Sequence, residues 1–172
     1  MKNLATILLG SNLGNRLGNL KTAVNHLSDK IGDISKTSSV YQTEPWGVVE
    51  QRSFLNLALQ VETTLSPFDM LQKCLEIEDE MGRKRSKKWG ERRIDVDILY
   101  INDDVIDQEK LQIPHPRIAE RRFTLVMLSE LFPEFVHPIY KKSNEQLLKE
   151  CKDNLAVTLY SDFDITPERS VR

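Results

Sequence analysis

Residues 94–101, Ile94-Asp95-Val96-Asp97-Ile98-Leu99-Tyr100-Ile101, constrain the fold more than any other stretch. Ile94, Val96, Ile98 and Tyr100 alternate with Asp95, Asp97, Leu99 and Ile101, the period of a β-strand. The alternation puts Asp95 and Asp97 on one face, about 6–7 Å apart along the chain. Two carboxylates on an otherwise apolar strand are costly to bury unless something positive sits between them. Directly upstream, residues 83–93 carry seven basic side chains (Arg83, Lys84, Arg85, Lys87, Lys88, Arg92 and Arg93) and one acid, Glu91. Hard divalent cations take carboxylates, and guanidinium groups take phosphate oxygens. The pairing of the two stretches points to a metal–phosphate site. A bare edge strand with solvated acids beside a solvated basic loop is the alternative, and the adjacent basic run with its Trp89 and Gly90 argues against it.

The 172 residues are enough for one domain with a full core and no disulfides. We expect that domain over residues 1–161, with 162–172 a polar tail. A net charge of −2 gives no global attraction to nucleic acid or membrane, so the basic run is a local feature. The apolar runs are strand-sized, which argues against a membrane span. The start, Met1-Lys2-Asn3-Leu4, has no signal-peptide pattern. Cys74 and Cys151 lie far apart with no C-x-x-C, as expected for reduced packing residues in a cytoplasmic protein. The expectation is a monomer.

Leu4 to Leu9 is a continuous apolar run, expected as a buried central strand. It ends in Gly10-Ser11-Asn12-Leu13-Gly14, read as a tight turn into a helix carrying Leu17, Leu20, Val24 and Leu27 and stopping at Gly32. Ile34 to Thr43 reads as a strand and Glu44 to Gln51 as a loop. From Phe54 to Val61, Leu55, Leu57, Leu59 and Val61 form the core face. Phe54, Asn56, Ala58 and Gln60 form a half-polar face suited to a ligand wall. Ser66 caps a second helix with Pro67 at its first position. The buried stripe is expected at Phe68, Leu71, Leu75 and Met81, with Gly82 as the stop. After the Asp strand come a turn at Asn102-Asp103-Asp104, an extended Ile113-Pro114-His115-Pro116 and a helix over 117–131. A short helix over 144–151 and a strand over 156–160 complete the chain.

The order β-α-β-β-α-β predicts an α+β, ferredoxin-like core: an antiparallel sheet with both helices on one face and a C-terminal helix–strand extension. In that topology the first and last strands lie side by side. The Gly10 turn is placed at the far end of the sheet from the start of the Asp strand, and Ser11 receives no phosphate role.

With these residues laid out, the chain resembles the 6-hydroxymethyl-7,8-dihydropterin pyrophosphokinase family of folate biosynthesis over about residues 4–140. The resemblance rests on Gly10-Ser11-Asn12-Leu13-Gly14, Tyr41-Gln42-Thr43-Glu44-Pro45-Trp46-Gly47, Phe54-Leu55-Asn56, Trp89-Gly90-Glu91-Arg92-Arg93-Ile94-Asp95-Val96-Asp97-Ile98 and Ile113-Pro114-His115-Pro116 followed by Arg121 and Phe123. It implies transfer of the β,γ-pyrophosphoryl unit of ATP to the pterin hydroxymethyl group, releasing AMP. By the same resemblance Asp95 and Asp97 are ligands for two Mg²⁺ ions, and Asp95 also borders the pterin. Arg83 and Arg92 act on the transferred group. Leu71, Glu78, Arg85, Lys88, Trp89, Arg92, Ile98, Lys110, Leu111, Gln112, His115 and Arg121 form the ATP site. Thr43, Glu44, Pro45, Trp46, Phe54, Asn56 and Phe123 form the pterin pocket. The chain departs from the family pattern at Lys88, where Arg is common, at Glu44, where Pro is frequent, and at Lys110 and Pro116.

The residues and the resemblance describe compatible chemistry. Phosphoryl-type transfer needs positioning and charge neutralisation more than covalent catalysis. Two carboxylates make half of a Mg²⁺ site that nucleotide phosphates and water complete. Phe54 and Phe123 are placed to stack on a flat ring whose edge Asn56 reads. His115 is expected to position by hydrogen bonding. Three other readings compete. A two-metal nucleotidyltransferase would release pyrophosphate in place of AMP. A ferredoxin-like RNA-binding module would put aromatics and bases on the central strands, whereas Leu4–Leu9 and Ile94–Ile101 offer Tyr100 and two acids. A small-molecule regulatory domain would need neither Mg²⁺ nor turnover.

Overall fold

The computed structural model describes residues 2–45, 51–82 and 93–161. Strand β1 (Asn3–Ser11) leads through a turn to helix α1 (Arg16–Lys30), whose Asn15 cap accepts a hydrogen bond from the Gly18 N–H at 3.0 Å. Strands β2 (Asp33–Thr37), β3 (Val40–Thr43) and β4 (Phe54–Thr63) follow. Helix α2 (Pro67–Glu80) opens as its sequence dictates: Pro67 sits in the first turn and the Ser66 hydroxyl accepts from the Asp69 N–H at 3.2 Å. The Asp strand is β5 (Asp95–Ile101), followed by a small hairpin of β6 (Ile106–Asp107) and β7 (Gln112–Ile113). Helices α3 (Arg122–Leu131) and α4 (Asn144–Glu150) and strand β8 (Val157–Ser161) close the described chain. Among the described residues no helix is long and apolar enough to cross a membrane.

The main sheet runs β5-β1-β4-β3-β8, with β2 also on β4, and every pairing is antiparallel. Two apolar layers flank it. On one face Ala5, Ile7 and Leu9 join Leu55, Leu57, Leu59 and Val61 beneath Leu20, Val24 and Leu27 of α1 and Met70, Cys74 and Ile77 of α2. On the other, Leu8, Ala58, Leu99 and Tyr100 pack against Ile118, Leu125, Leu128 and Leu147 from the C-terminal elements. The alternating leucines of β4 and the central place of β1 follow the sequence expectation. The strand read over 34–43 is one path broken at Ser38. There the Ser38 N–H donates to the Ala58 carbonyl at 2.8 Å and the Ala58 N–H donates to the Ser38 hydroxyl at 2.9 Å.

The Asp strand and two of the helices depart from expectation. The Asp strand, read as central, is the edge of the sheet. Its alternation also does not run through. Ile7 pairs with Ile98 and Thr6 with Tyr100, so Leu99 is an extra residue, a bulge that shifts the phase. Val96, Ile98 and Ile101 therefore enter the α1/α2 layer while Leu99 and Tyr100 both enter the other. In α2 the buried stripe is Met70, Cys74, Ile77 and Glu78, and Phe68 is 50% exposed. The Ser66 cap starts the helix with Phe68 on its outer side, one step out of phase with the core. Residues 117–131 are not one helix: a 3-10 turn (Ile118–Glu120) is followed by an extended Arg121 (φ −117°, ψ 107°) and only then by α3.

Gly32 ends α1 by close approach: a Cβ there would lie 1.9 Å from the Glu62 carbonyl oxygen. The Ile113–Pro114 peptide is cis, and Pro116 opens a turn, so the extended reading holds only to Ile113. Burial pushes the Cys74 thiol up to about 12, with Glu78 and Asp97 adding to the shift, and Cys74 and Cys151 are both free thiols.

The second layer is pinned by polar groups. The Tyr100 hydroxyl donates to Asn144 Oδ1 at 2.7 Å, and Asn144 Nδ2 donates to the Phe132 carbonyl at 2.9 Å. Beside them His137 is 2% exposed and stacks on Tyr140 with ring centroids 4.4 Å apart. Its Nδ1 accepts the N–H groups of Ile139 and Tyr140, both at 3.2 Å. Burial holds its pKa down at about 4 against an ordinary 6.5. The unfolded chain therefore takes up this proton first, so the contribution of His137 is complete above about pH 6.5 and lost as pH falls toward 4. Melting temperatures should fall through that window in the native chain, and less steeply in His137→Asn, whose amide oxygen can accept without titrating. Equal slopes would contradict this.

Candidate active site

The sheet face opposite α1 and α2 carries the acids. Register sets a row of four residues across it: Asp95 beside Gly10, Gly10 beside Asn56, and Asn56 beside Tyr41. Asp97 stands beside Leu8, and Phe54 beside Thr43. This row overturns the expected position of the Gly10 turn. Neighbouring antiparallel strands bring the end of one to the start of the other, so the turn flanks Asp95 directly. Ser11 is nonetheless fully buried, and its hydroxyl accepts from Asn19 Nδ2 at 3.1 Å.

Gly10 is the opening in this row. A Cβ on it would sit 2.7 Å from Asn56 Oδ1 and 3.5 Å from Phe54 Cδ1. The absent side chain lets the Asn56 amide lie over β1 toward the aspartates. Asn56 is 4% exposed and Thr43 2%, and Asn56 Nδ2 donates to Thr43 Oγ1 at 2.6 Å. Gly10 is absent from the candidate residues expected from the sequence. The usable signal was a glycine ending a strand paired antiparallel with a D-x-D strand.

Arg121 closes the site from the C-terminal layer. Arg121 is 8% exposed, and its Cζ lies 5.9 Å from the Phe123 ring centroid. Burial pulls the guanidinium below its ordinary value, Asp97 and then Asp95 and Glu120 pull it back up, and Arg117 opposes them. The cation therefore sits in the field of both aspartates. His115 is held by its N–H to the Leu99 carbonyl at 2.9 Å, and its Nδ1 accepts the Arg117 N–H at 3.2 Å. Burial, then Arg121 and Arg117, push its pKa down to about 4. It is a neutral imidazole at pH 7, with Nε2–H left as a donor.

The remaining expected residues divide by side. Glu78 is buried, and its Oε2 accepts the Val96 N–H at 3.2 Å on the free edge of β5, between the two aspartates. Leu71 is half-buried against the α1/α2 layer, and the Ile98 and Leu111 side chains are buried within it. Lys110 and Gln112 are exposed around the β6–β7 turn. Glu44 is exposed, and Pro45, Phe54 and Phe123 are half-buried. Trp46, Arg83, Arg85, Lys88, Trp89 and Arg92 lie outside the described residues, as does the tail.

Among the described residues no group of three or more His, Cys, Asp or Glu side chains gathers as a metal site. The donor set still fits a hard cation. Asp95 and Asp97 offer only oxygen, from one half-buried face, beside a residue with no side chain. Mg²⁺ takes one or two carboxylates and draws its other ligands from phosphate and water.

A family model described as 7,8-dihydro-6-hydroxymethylpterin-pyrophosphokinase (HPPK) matches residues 6–133, from within β1 through α3. The chain belongs to the HPPK family. Its relatives in that family include the 2-amino-4-hydroxy-6-hydroxymethyldihydropteridine pyrophosphokinase of Aquifex aeolicus, 41% identical over 151 residues, which span 87% of this chain and 91% of the relative. The Bacillus subtilis HPPK is 44% identical over 132 residues, 76% of this chain and 79% of its own. Among solved structures, a Plasmodium falciparum HPPK-DHPS chain superposes with a TM-score of 0.75 at 20% identity. That match covers 87% of this chain and 45% of the Plasmodium chain, and it speaks to the fold alone. The HPPK match takes in β1, β4, β5 and the Arg121–Phe123 segment together, so every described part of the site falls inside it.

Proposed function

We infer that this chain, as an HPPK, transfers the pyrophosphoryl group of ATP to 6-hydroxymethyl-7,8-dihydropterin, giving AMP and the pterin diphosphate of folate synthesis. One observation carries the reading to these residues: the row Asp95–Gly10–Asn56 sets an acid across a bare glycine from a buried amide, with Asp97 on the same face and Arg121 in the field of both acids. Asn56 orients the pterin edge, and Phe54 and Phe123 flank the ring. The edge of β5, between Glu78 on one side and Gln112, His115 and Arg121 on the other, takes the nucleotide. Two Mg²⁺ ions held by Asp95 and Asp97 would neutralise phosphate charge and favour the hydroxymethyl oxygen as nucleophile. Arg83, Arg85 and Arg92 are assigned to the phosphates and Trp89 to the same nucleotide site. His115 donates from Nε2 to position the nucleotide. The strand order β5-β1-β4-β3 supports a ferredoxin-like core, and the two free thiols support a reducing, cytoplasmic setting.

Incubation with ATP, Mg²⁺ and 6-hydroxymethyl-7,8-dihydropterin is expected to yield AMP in step with pterin diphosphate. Pyrophosphate release would instead indicate nucleotidyl transfer, and no AMP above background would refute the assignment.

A further inference from the structure

The Asn56 amide has two faces that a ligand can distinguish, and only one way round is held. Its Nδ2 donates to Thr43 Oγ1 at 2.6 Å, in a pair that is 4% and 2% exposed. Its Oδ1 lies over Gly10, 2.7 Å from where a Cβ would stand. The open side of the amide therefore presents one acceptor, Oδ1, and the remaining Nδ2 hydrogen in a fixed order. A lactam edge has the complementary order: a ring N–H to meet the acceptor and a carbonyl oxygen to meet the donor. A ring bearing an amino group in place of that carbonyl has the reverse order, an unprotonated ring nitrogen beside an N–H donor. Turning the amide over to suit such a ring would point Oδ1 at the Thr43 oxygen and strand a buried Nδ2 over Gly10. The Thr43 hydroxyl could rotate to donate, but the nearest contacts above Gly10 are the Phe54 ring and Asn56 itself, so the turned Nδ2 has no acceptor in immediate reach there.

We propose that the Thr43 hydroxyl is a specificity-determining positioning residue: it locks the Asn56 amide in the orientation that accepts 2-amino-4-oxo rings and rejects 2,4-diamino rings. The proposal rests on the pterin reading of this site and deepens it. Thr43 does not touch the ring through its hydroxyl; it acts through Asn56. The short chain of contacts from Thr43 to Asn56 to the open space at Gly10 spans three adjacent strands, β3, β4 and β1, so the orientation is built into the sheet. No loop closure is needed to set it.

The test compares the affinities of 6-hydroxymethylpterin and 6-hydroxymethyl-2,4-diaminopteridine by calorimetry, in the full chain with Mg²⁺ and a non-hydrolysable ATP analogue. The native chain should prefer the oxo ring by about ten- to a hundredfold, the discrimination typical of one paired donor–acceptor contact. Thr43→Val keeps the shape and removes the oxygen, so the amide turns freely and the preference should fall to within about threefold. Thr43→Ser keeps the oxygen and should restore it. Thermal melts accompany each variant, and Thr43→Ala replaces the valine form if that one does not fold. A purely structural role for Thr43 would weaken both ligands together and leave their ratio intact. That result would overturn the proposal while leaving the pterin site standing. Failure of the native chain to bind either ring would instead refute the pterin reading itself.

Discussion

Asp97→Asn and Asp95→Asn should each reduce AMP formation by about 10³-fold or more, the scale seen when a preorganised charge is removed from a transfer site. Each keeps the shape of the side chain and removes the charge that neutralises the phosphates. The two should differ in stability. Arg121 is buried, and among the carboxylates around it Asp97 has the larger influence, ahead of Asp95. Removing Asp97 weakens the field that makes this buried cation tolerable. Urea melts should show Asp97→Asn losing on the order of 1–3 kcal/mol, and Asp95→Asn less. Turnover within a few-fold of the native chain in either variant would remove that aspartate from the chemistry. Equal stability losses would show that Arg121 does not discriminate between the two.

Gly10→Ala should abolish pterin binding at concentrations that saturate the native chain. The new methyl would meet Asn56 Oδ1 at 2.7 Å, closer than a methyl carbon approaches an oxygen. Exposed amides swing away cheaply, but this one is buried and tied to Thr43, so it must either break that bond or push β4 outward. Overpacking of this kind costs about 1–3 kcal/mol of stability. The functional loss should be larger, because the methyl displaces the group that reads the ring and fills the space beside Asp95. Nucleotide affinity, measured separately, should change little, since the β5 edge lies on the far side of the acids. A variant that binds pterin normally would show that the Asn56 amide is free to move, and would contradict the close packing on which this site depends.

Much of this fold was readable because its signals are local. The leucines of β4 alternate without a break, and Ser66-Pro67 starts a helix by chemistry that needs no partner. Asp95, Asp97, Asn56 and Phe54 could be named as candidates because polar or aromatic residues recur on one face of strands whose other face is apolar. The errors came where a neighbour decides the outcome. The Leu99 bulge exists only in the pairing of β5 with β1, and residues 94–101 look regular without it. Arg121 leaves the helical path although apolar spacing continues on both sides of it. Phe68 is apolar and correctly spaced for a stripe, yet the cap that starts α2 turns it outward. The far-end placement of the Gly10 turn fails because, in the antiparallel pairing that the sequence already predicts, the end of β1 meets the start of β5.

The extra residue at Leu99 makes β5 answer to two apolar layers at once. Sliding the strand by one position along β1 would expel Val96 and Ile98 from beneath the helices and in the same movement pull Leu99 and Tyr100 from the opposite layer. Neither layer can relax without disrupting the other, so the strand has no low-energy slip. The two carboxylates inherit that immobility. Their height beside Gly10 is set by buried side chains on both faces of the sheet, and on the proposed reading the spacing offered to a phosphate chain is in place before one arrives.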